Sequence, residues 1–166
     1  MTVVEYVDLQ CPFCQEFETQ AMPKLLARYV RNGKVKIEAR PIAAIGPDSE
    51  RGRAGAVAAA DQNRMFNYMQ LLYLNQGTEN TGWLDDAMAN AAAASIPGLD
   101  VDAWSSARGS SAVTDQETQF DNGVDADNVT ETPTVLVGRT GGKLRKASVS
   151  LSNIDSLSAA IENALR

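Results

Sequence analysis

An α/β fold is predicted for this chain, in which a strand-helix-strand unit opens the sequence, a helical block fills its middle and a strand-strand-helix unit closes it. Three features carry that reading. Val3-Val4-Glu5-Tyr6-Val7 is a strand-like run leading into a helical stretch, the sequence from Asp48 becomes long, Ala-rich and helical, and strand signals return at Thr134-Val135-Leu136-Val137. At 166 residues and 44% hydrophobic content the chain is long enough for one domain, 1–166, with a real core, and too short to expect two. A net charge of −6 and a pI near 4.6 argue against a nucleic-acid or anionic-membrane surface. No run of about 18 apolar residues occurs, so no transmembrane segment is expected, and Met1-Thr2 leads straight into strand sequence without a leader pattern.

In order, Phe13, Phe17, Met22, Leu25, Leu26, Tyr29 and Val30 recur at mostly helical spacing and predict one helix over roughly 12–31, bent rather than broken at Pro23 and stopped in left-handed conformation at Asn32-Gly33. Val35, Ile37 and Ala39 alternate with Lys36, Glu38 and Arg40, the pattern of a strand with one wet face. A strand-helix-strand crossover makes its two strands parallel. The block from 48 to 127 contains several helices, one starting near Trp83-Leu84-Asp85-Asp86 and the next capped by Asp100 or Asp102, with Trp104 packing the layer. The helical spacing of Met65, Phe66, Met69, Leu71, Leu72 and Leu74 assigns them to core packing in preference to a substrate groove. Residues 109–127 read as a weakly amphipathic helix, Thr134–Val137 and Lys143–Val149 as a hairpin, and Ser152-Asn153-Ile154-Asp155 as a capping box opening the last helix.

Both cysteines lie in Cys11-Pro12-Phe13-Cys14, where the first strand meets the first helix. Helical positions three apart share a face, at a spacing a disulfide tolerates. Pro12 suits a first helical turn, so the helix should begin beside Cys11 and the free amides and dipole there should lower its pKa, while Cys14, one turn further in, should be screened. With two cysteines and no histidine the chain cannot build an intrachain Cys/His zinc site, and no metal is expected. A purely structural disulfide would close too short a loop to add much stability, which favours a redox dithiol. The absence of histidine also removes the commonest general base, leaving thiols, carboxylates, lysines and tyrosines.

The element order, with Cys-Pro-x-Cys after the first strand and Thr132-Pro133 opening the third, resembles the DsbA-like family of thiol-disulfide oxidoreductases. That resemblance implies a thioredoxin fold, a mixed central sheet of about four strands flanked by helices, with halves 1–47 and 128–166 and an inserted helical subdomain at 48–127. It makes Cys11 the nucleophile and Cys14 the resolving thiol. Pro12, Phe13, Thr132 and Pro133 become the substrate-binding rim, with a cis-proline loop at Thr132-Pro133 where the bland alternative is an ordinary trans strand start. Glu5, six residues before Cys11, matches a buried acid of the family; from the residues alone it either snorkels to a wet face or, if buried, has a raised pKa and could relay the proton of Cys14.

Three departures matter: Phe13 stands where strongly oxidising members carry a histidine, Glu131 stands where a small residue is usual, and the strand that commonly precedes the motif strand is absent, which suggests a removed N-terminal segment. The resemblance implies disulfide formation in protein or peptide substrates by mixed disulfide, with no cofactor beyond the Cys11-Cys14 disulfide. It also implies a membrane or soluble redox partner and an extracytoplasmic location in the periplasm or cell envelope. Reduction or isomerisation by the same fold, and a non-catalytic peptide-binding module, are the alternatives.

Overall fold

Residues 1–165 are described here in a computed structural model. The strands are β1 (Thr2–Val7), β2 (Lys36–Pro41), β3 (Thr134–Gly138) and β4 (Arg145–Ala147), and they form one mixed sheet in the order β2-β1-β3-β4. β1 runs parallel to β2 and antiparallel to β3, and β4 closes the other edge antiparallel to β3. The helices are α1 (Pro12–Gln20), α2 (Met22–Leu25), α3 (Pro47–Ala60), α4 (Met65–Leu74), α5 (Asp86–Ala94), α6 (Val101–Ala107), α7 (Ser111–Ala126) and α8 (Asp155–Leu165). This is the mixed, helix-flanked sheet of a thioredoxin fold, with α3 to α7 inserted between its halves. Among the described residues no helix is long and apolar enough to cross a membrane.

Every residue of β1 is buried, because it is a central strand with both faces covered. Its side chains alternate between faces. Val3 packs with Phe17, Leu25, Tyr29 and Ile161, under α1, α2 and α8, whereas Val4 and Tyr6 share a cluster with Leu136 and with Phe120 and Val124 of α7. The period of two puts Glu5 on the Val3 face, beneath α1. Opposite it, Tyr6 donates its hydroxyl to Asp127 at 2.7 Å and receives a bond from Arg40 at 2.6 Å, tying the sheet to the end of α7.

Three expected elements are corrected, and the core packing expected of Phe66 and Leu74 fails as well, since both side chains are exposed. The single helix over 12–31 is interrupted: α1 ends at Gln20, Ala21 keeps helical dihedrals, α2 restarts at Met22, and Leu26–Val30 form a wider π-helical turn closed by Arg31 N–H to Leu26 C=O at 3.0 Å. Pro23 explains the break, since its ring cannot follow the carbonyl four residues back and it has no N–H to give. Gly33 ends the segment at φ +68°, the left-handed stop expected there. The hairpin's second strand is shorter than Lys143–Val149, ending at Ala147, after which the chain leaves the sheet. Finally, the capping box is not formed. Asp155 opens α8 and gives its own N–H to Asn153 Oδ1 at 3.1 Å, so Asn153, not Ser152, supplies the oxygen.

Within the helical block Asp85, Asp100 and Ser110 each cap the helix that follows by accepting a backbone N–H. Trp104 is fully buried, 5.6 Å from the Tyr68 ring, and donates its indole N–H to Gly55 C=O at 2.8 Å. Gly55 is what lets α3 and α4 come together. A Cβ there would press into the Tyr68 hydroxyl and lie 2.7 Å from Tyr68 Cζ, with no room for the buried ring to retreat. Gly55→Ala should therefore lower stability by about 1–3 kcal/mol despite the better helix propensity of alanine, read as a lower urea midpoint at unchanged m-value.

Candidate active site

The strand-to-helix turn builds the site. Cys11 is the residue before α1, extended at φ −72° and ψ 119°, with Pro12 in the first helical turn. Both cysteines are free thiols. Cys11 keeps 5% of its surface exposed and Cys14 none, while Pro12 and Phe13 stand exposed on the rim. The Cys11 thiol is lowered to about 6, first by a hydrogen bond from the Cys14 thiol, which outweighs an opposing effect of burial, and then by the Thr132 side chain and the backbone amides of Cys14 and Phe13. Cys14 is pushed well above its ordinary value, first by burial and then by Cys11. One thiol is thus poised as an attacking thiolate near neutral pH and its neighbour as a proton holder.

β3 completes the site because it runs antiparallel to β1. The pairing of Tyr6 with Thr134 brings the start of β3 beside the end of β1. The Thr132–Pro133 peptide is cis, and Thr132 C=O accepts a hydrogen bond from Cys11 Sγ at 3.5 Å. Beyond it a groove of about 460 Å³ opens where β3 begins and β4 ends, lined by Phe13, Thr132, Pro133, Lys146, Val149 and Leu151 among others. The structure thus brings Cys11, Pro12, Phe13, Cys14, Thr132 and Pro133 to one place.

Glu5 is fully buried, so it does not snorkel. What sequence reasoning missed is its partner, Glu18 of α1. Burial raises both, Glu18 to about 7 and Glu5 well above the usual carboxylate range, with the Glu18 charge and a hydrogen bond to Glu18 as further causes at Glu5. Both Glu5 oxygens and Glu18 Oε1 are sealed from solvent with no partner as two carboxylates, and neither residue enters an ion pair among the described residues. One proton resolves this, because a carboxyl can donate to a carboxylate where two carboxylates cannot. Tyr73 feels both the pair and the buried thiol: burial raises its hydroxyl first, then the charges of Cys14, Glu18, Glu5 and Asp8. The one sequence signal for Glu18 is its place four residues after Cys14 on the same helical face.

A polar web from the helical block also went unread. Gln76 Nε2 donates to Leu9 C=O at 2.9 Å and Cys11 C=O at 3.2 Å, Gln15 Nε2 to Tyr73 C=O at 2.7 Å, and Tyr73 Oη to Asp8 C=O at 3.3 Å. These bonds fasten the end of α4 to the cysteine turn. They join residues about 60 positions apart, which no local pattern signals.

Two outcomes follow for the reduced protein. Alkylation by a small reagent should modify Cys11 with a rate that rises through a midpoint near pH 6, leaving Cys14 unlabelled by peptide mapping. The acid pair acts on stability with opposite sign to a depressed group. Its raised values stabilise the fold below about pH 4.5, and that contribution is lost as pH rises through about 7. Glu18→Gln should therefore gain in urea midpoint relative to the wild type between pH 5 and pH 8, with Cys11 titration cancelling in the difference.

Comparison with known proteins fits this geometry. "Probable disulfide bond formation protein D" of Bacillus anthracis is 28% identical over 103 residues, which cover 60% of this chain and 48% of that protein. The chain spans about half the length of the curated relatives it matches. Oxidised BdbD of Bacillus subtilis superposes with a TM-score of 0.84 at 19% identity, covering 99% of this chain and 86% of that one. DsbA of Chlamydia trachomatis gives 0.79 at 16% identity, covering 98% and 85%. At these identities the likeness is one of fold. A family model described as Thioredoxin matches residues 1–163, so the chain belongs to the thioredoxin family, with the helical insertion of the DsbA-like fold.

Proposed function

We propose that this chain is a thiol-disulfide oxidoreductase that forms disulfides in protein or peptide substrates. The observation that carries it is a Cys11 thiol lowered to about 6 beside a Cys14 thiol held neutral by burial. In the oxidised protein a substrate thiolate attacks Cys11 Sγ, the Cys11–Cys14 bond breaks, and Cys14 leaves as a thiolate that takes up a proton. A second substrate thiolate then attacks the substrate sulfur of the mixed disulfide, releasing Cys11 as a thiolate. The substrate loses two electrons and two protons, and the enzyme holds the electrons as a reduced pair. Cys11 leaves readily because its thiolate is stabilised; Cys14 regains a proton because its own is not.

Glu5 and Glu18 supply that proton in this reading. They share one and hold it into the neutral range, and their charges, like that of Cys14, are felt at the Tyr73 hydroxyl. Thr132, Pro133, Pro12 and Phe13 receive the substrate chain, helped by the missing N–H of Pro133. A membrane or soluble redox partner removes the two electrons. The relatives' name, disulfide bond formation protein, supports an extracytoplasmic site of action in the periplasm or cell envelope, since disulfides persist where the surroundings are oxidising. Reduction or isomerisation is the second reading, favoured by Phe13, which is 59% exposed and offers the thiolate no side-chain donor.

The reduction potential decides between them. A Cys11 value of about 6 falls between those of about 7 for thioredoxin and about 3.5 for DsbA. The potential should accordingly lie between about −270 and −120 mV when equilibrated against glutathione, and Phe13→His should move it towards the DsbA end. A value at the thioredoxin end supports the reductase reading instead. Cys14→Ala should trap substrates on Cys11 as mixed disulfides on non-reducing gels. A Cys11→Ser variant that retained full cellular function would replace catalysis with peptide binding.

A further inference from the structure

Next to Thr132 the groove wall carries a carboxylate. Glu131 is exposed, lines the groove beside Thr132 and Pro133, and its side chain enters no ion pair or hydrogen bond among the described residues. Its backbone is held: Glu131 C=O accepts the Thr134 hydroxyl at 2.7 Å, and the adjoining Thr132 C=O accepts from Cys11 Sγ at 3.5 Å. The carboxylate therefore projects from a fixed point one residue from the atom that touches the reacting sulfur. The other charged lining residue, Lys146, sits on β4 across the groove, and its ammonium is engaged by Asn128 C=O. A substrate cysteine bonded to Cys11 is held beside Thr132, whose C=O meets Cys11 Sγ, so residues flanking it that enter the groove pass the 131–133 segment and its Glu131 carboxylate. Phe13, Pro133, Val149 and Leu151 give the groove apolar contact without charge preference.

We propose that Glu131 is a specificity-determining residue that makes the groove prefer substrates with a lysine or arginine next to the reacting cysteine. The proposal rests on the exchange reading above and adds to it a substrate class. An exposed ion pair supports a rate preference of about two- to fivefold, because the geometry leaves the pair in water. Salt screens it.

The test uses three reduced peptides with a single cysteine flanked by lysine, glutamine or glutamate, each mixed with the oxidised protein, with the second-order rate of protein reduction as the readout. Flanking charge also changes the peptide thiol's own reactivity, so the quantity compared is the lysine-to-glutamate rate ratio in the wild type divided by that in Glu131→Gln. That quotient should be about two to five at low ionic strength and fall to one in about 1 M salt, and Glu131→Lys should invert the preference. A quotient of one at low salt overturns the proposal while leaving exchange intact. Failure of the glutamine-flanked peptide to react at all overturns the exchange reading and the proposal together.

Discussion

The buried carboxylate of Asp8 holds the turn on which both cysteines depend. It has no solvent exposure and accepts four hydrogen bonds, from Gln10 N–H at 2.8 Å, Ser49 Oγ at 2.7 Å, Ala44 N–H at 2.8 Å and Ile45 N–H at 3.0 Å. A carboxylate buried without a cation costs several kcal/mol unless donors replace the water it loses, and four donors do so. Those donors come from the turn itself, from the segment after β2 and from the start of α3, so one side chain welds three pieces of chain. Gln10 extends the weld by donating to Ser49 Oγ at 2.9 Å and accepting from Asn80 N–H at 2.8 Å. With Gln76 donating to the carbonyls of Leu9 and Cys11, the turn is held from a second side, beneath the Cys11 sulfur.

The same low-dielectric surroundings act in opposite directions on neighbouring groups. Cys11 sits at the edge with a donor thiol and amides around it, and its thiolate is stabilised; Cys14 and Tyr73 sit inside and are held protonated beyond the neutral range, while Glu5 and Glu18 keep a proton between them into it. A charge that appeared on Cys14 would therefore be met by acids rather than by water. Evolution could have placed a lysine against Glu5 and satisfied it as an ion pair. A second acid keeps a proton there instead.

Contact between the two halves of the chain makes the candidate site. Neither Cys11 nor Pro133 is a site alone, and the antiparallel pairing of β1 with β3 is what sets Thr132 C=O against the thiol. The early exit of the chain from the sheet after Ala147 gives the groove its far wall, since a longer β4 would have kept Val149 and Leu151 within the ladder.

Much of this was legible in sequence. Period-two and period-3.6 patterns located the strands and most helices, and Cys-Pro-x-Cys after an apolar strand located the thiol pair at the helix start, because helix starts and proline preferences are local physics. Resemblance extended that to Thr132-Pro133 and the mixed sheet. The helix over 12–31 failed at Pro23, where period and breaker conflict, and the capping box failed because Asn153 outcompeted Ser152 one residue away.

Left to the tertiary structure were the questions that depend on what lies across a distance. Whether Glu5 was wet or buried turned on which face of β1 lay under α1; that it met Glu18 turned on helix packing; that a hydrogen bond from the Cys14 thiol is the first cause lowering Cys11 turned on how the helix start presents the two side chains. Sequence by itself determined which residues could carry the chemistry. Only the fold decided their protonation, because desolvation and hydrogen bonding are properties of neighbours that the chain brings together from far apart.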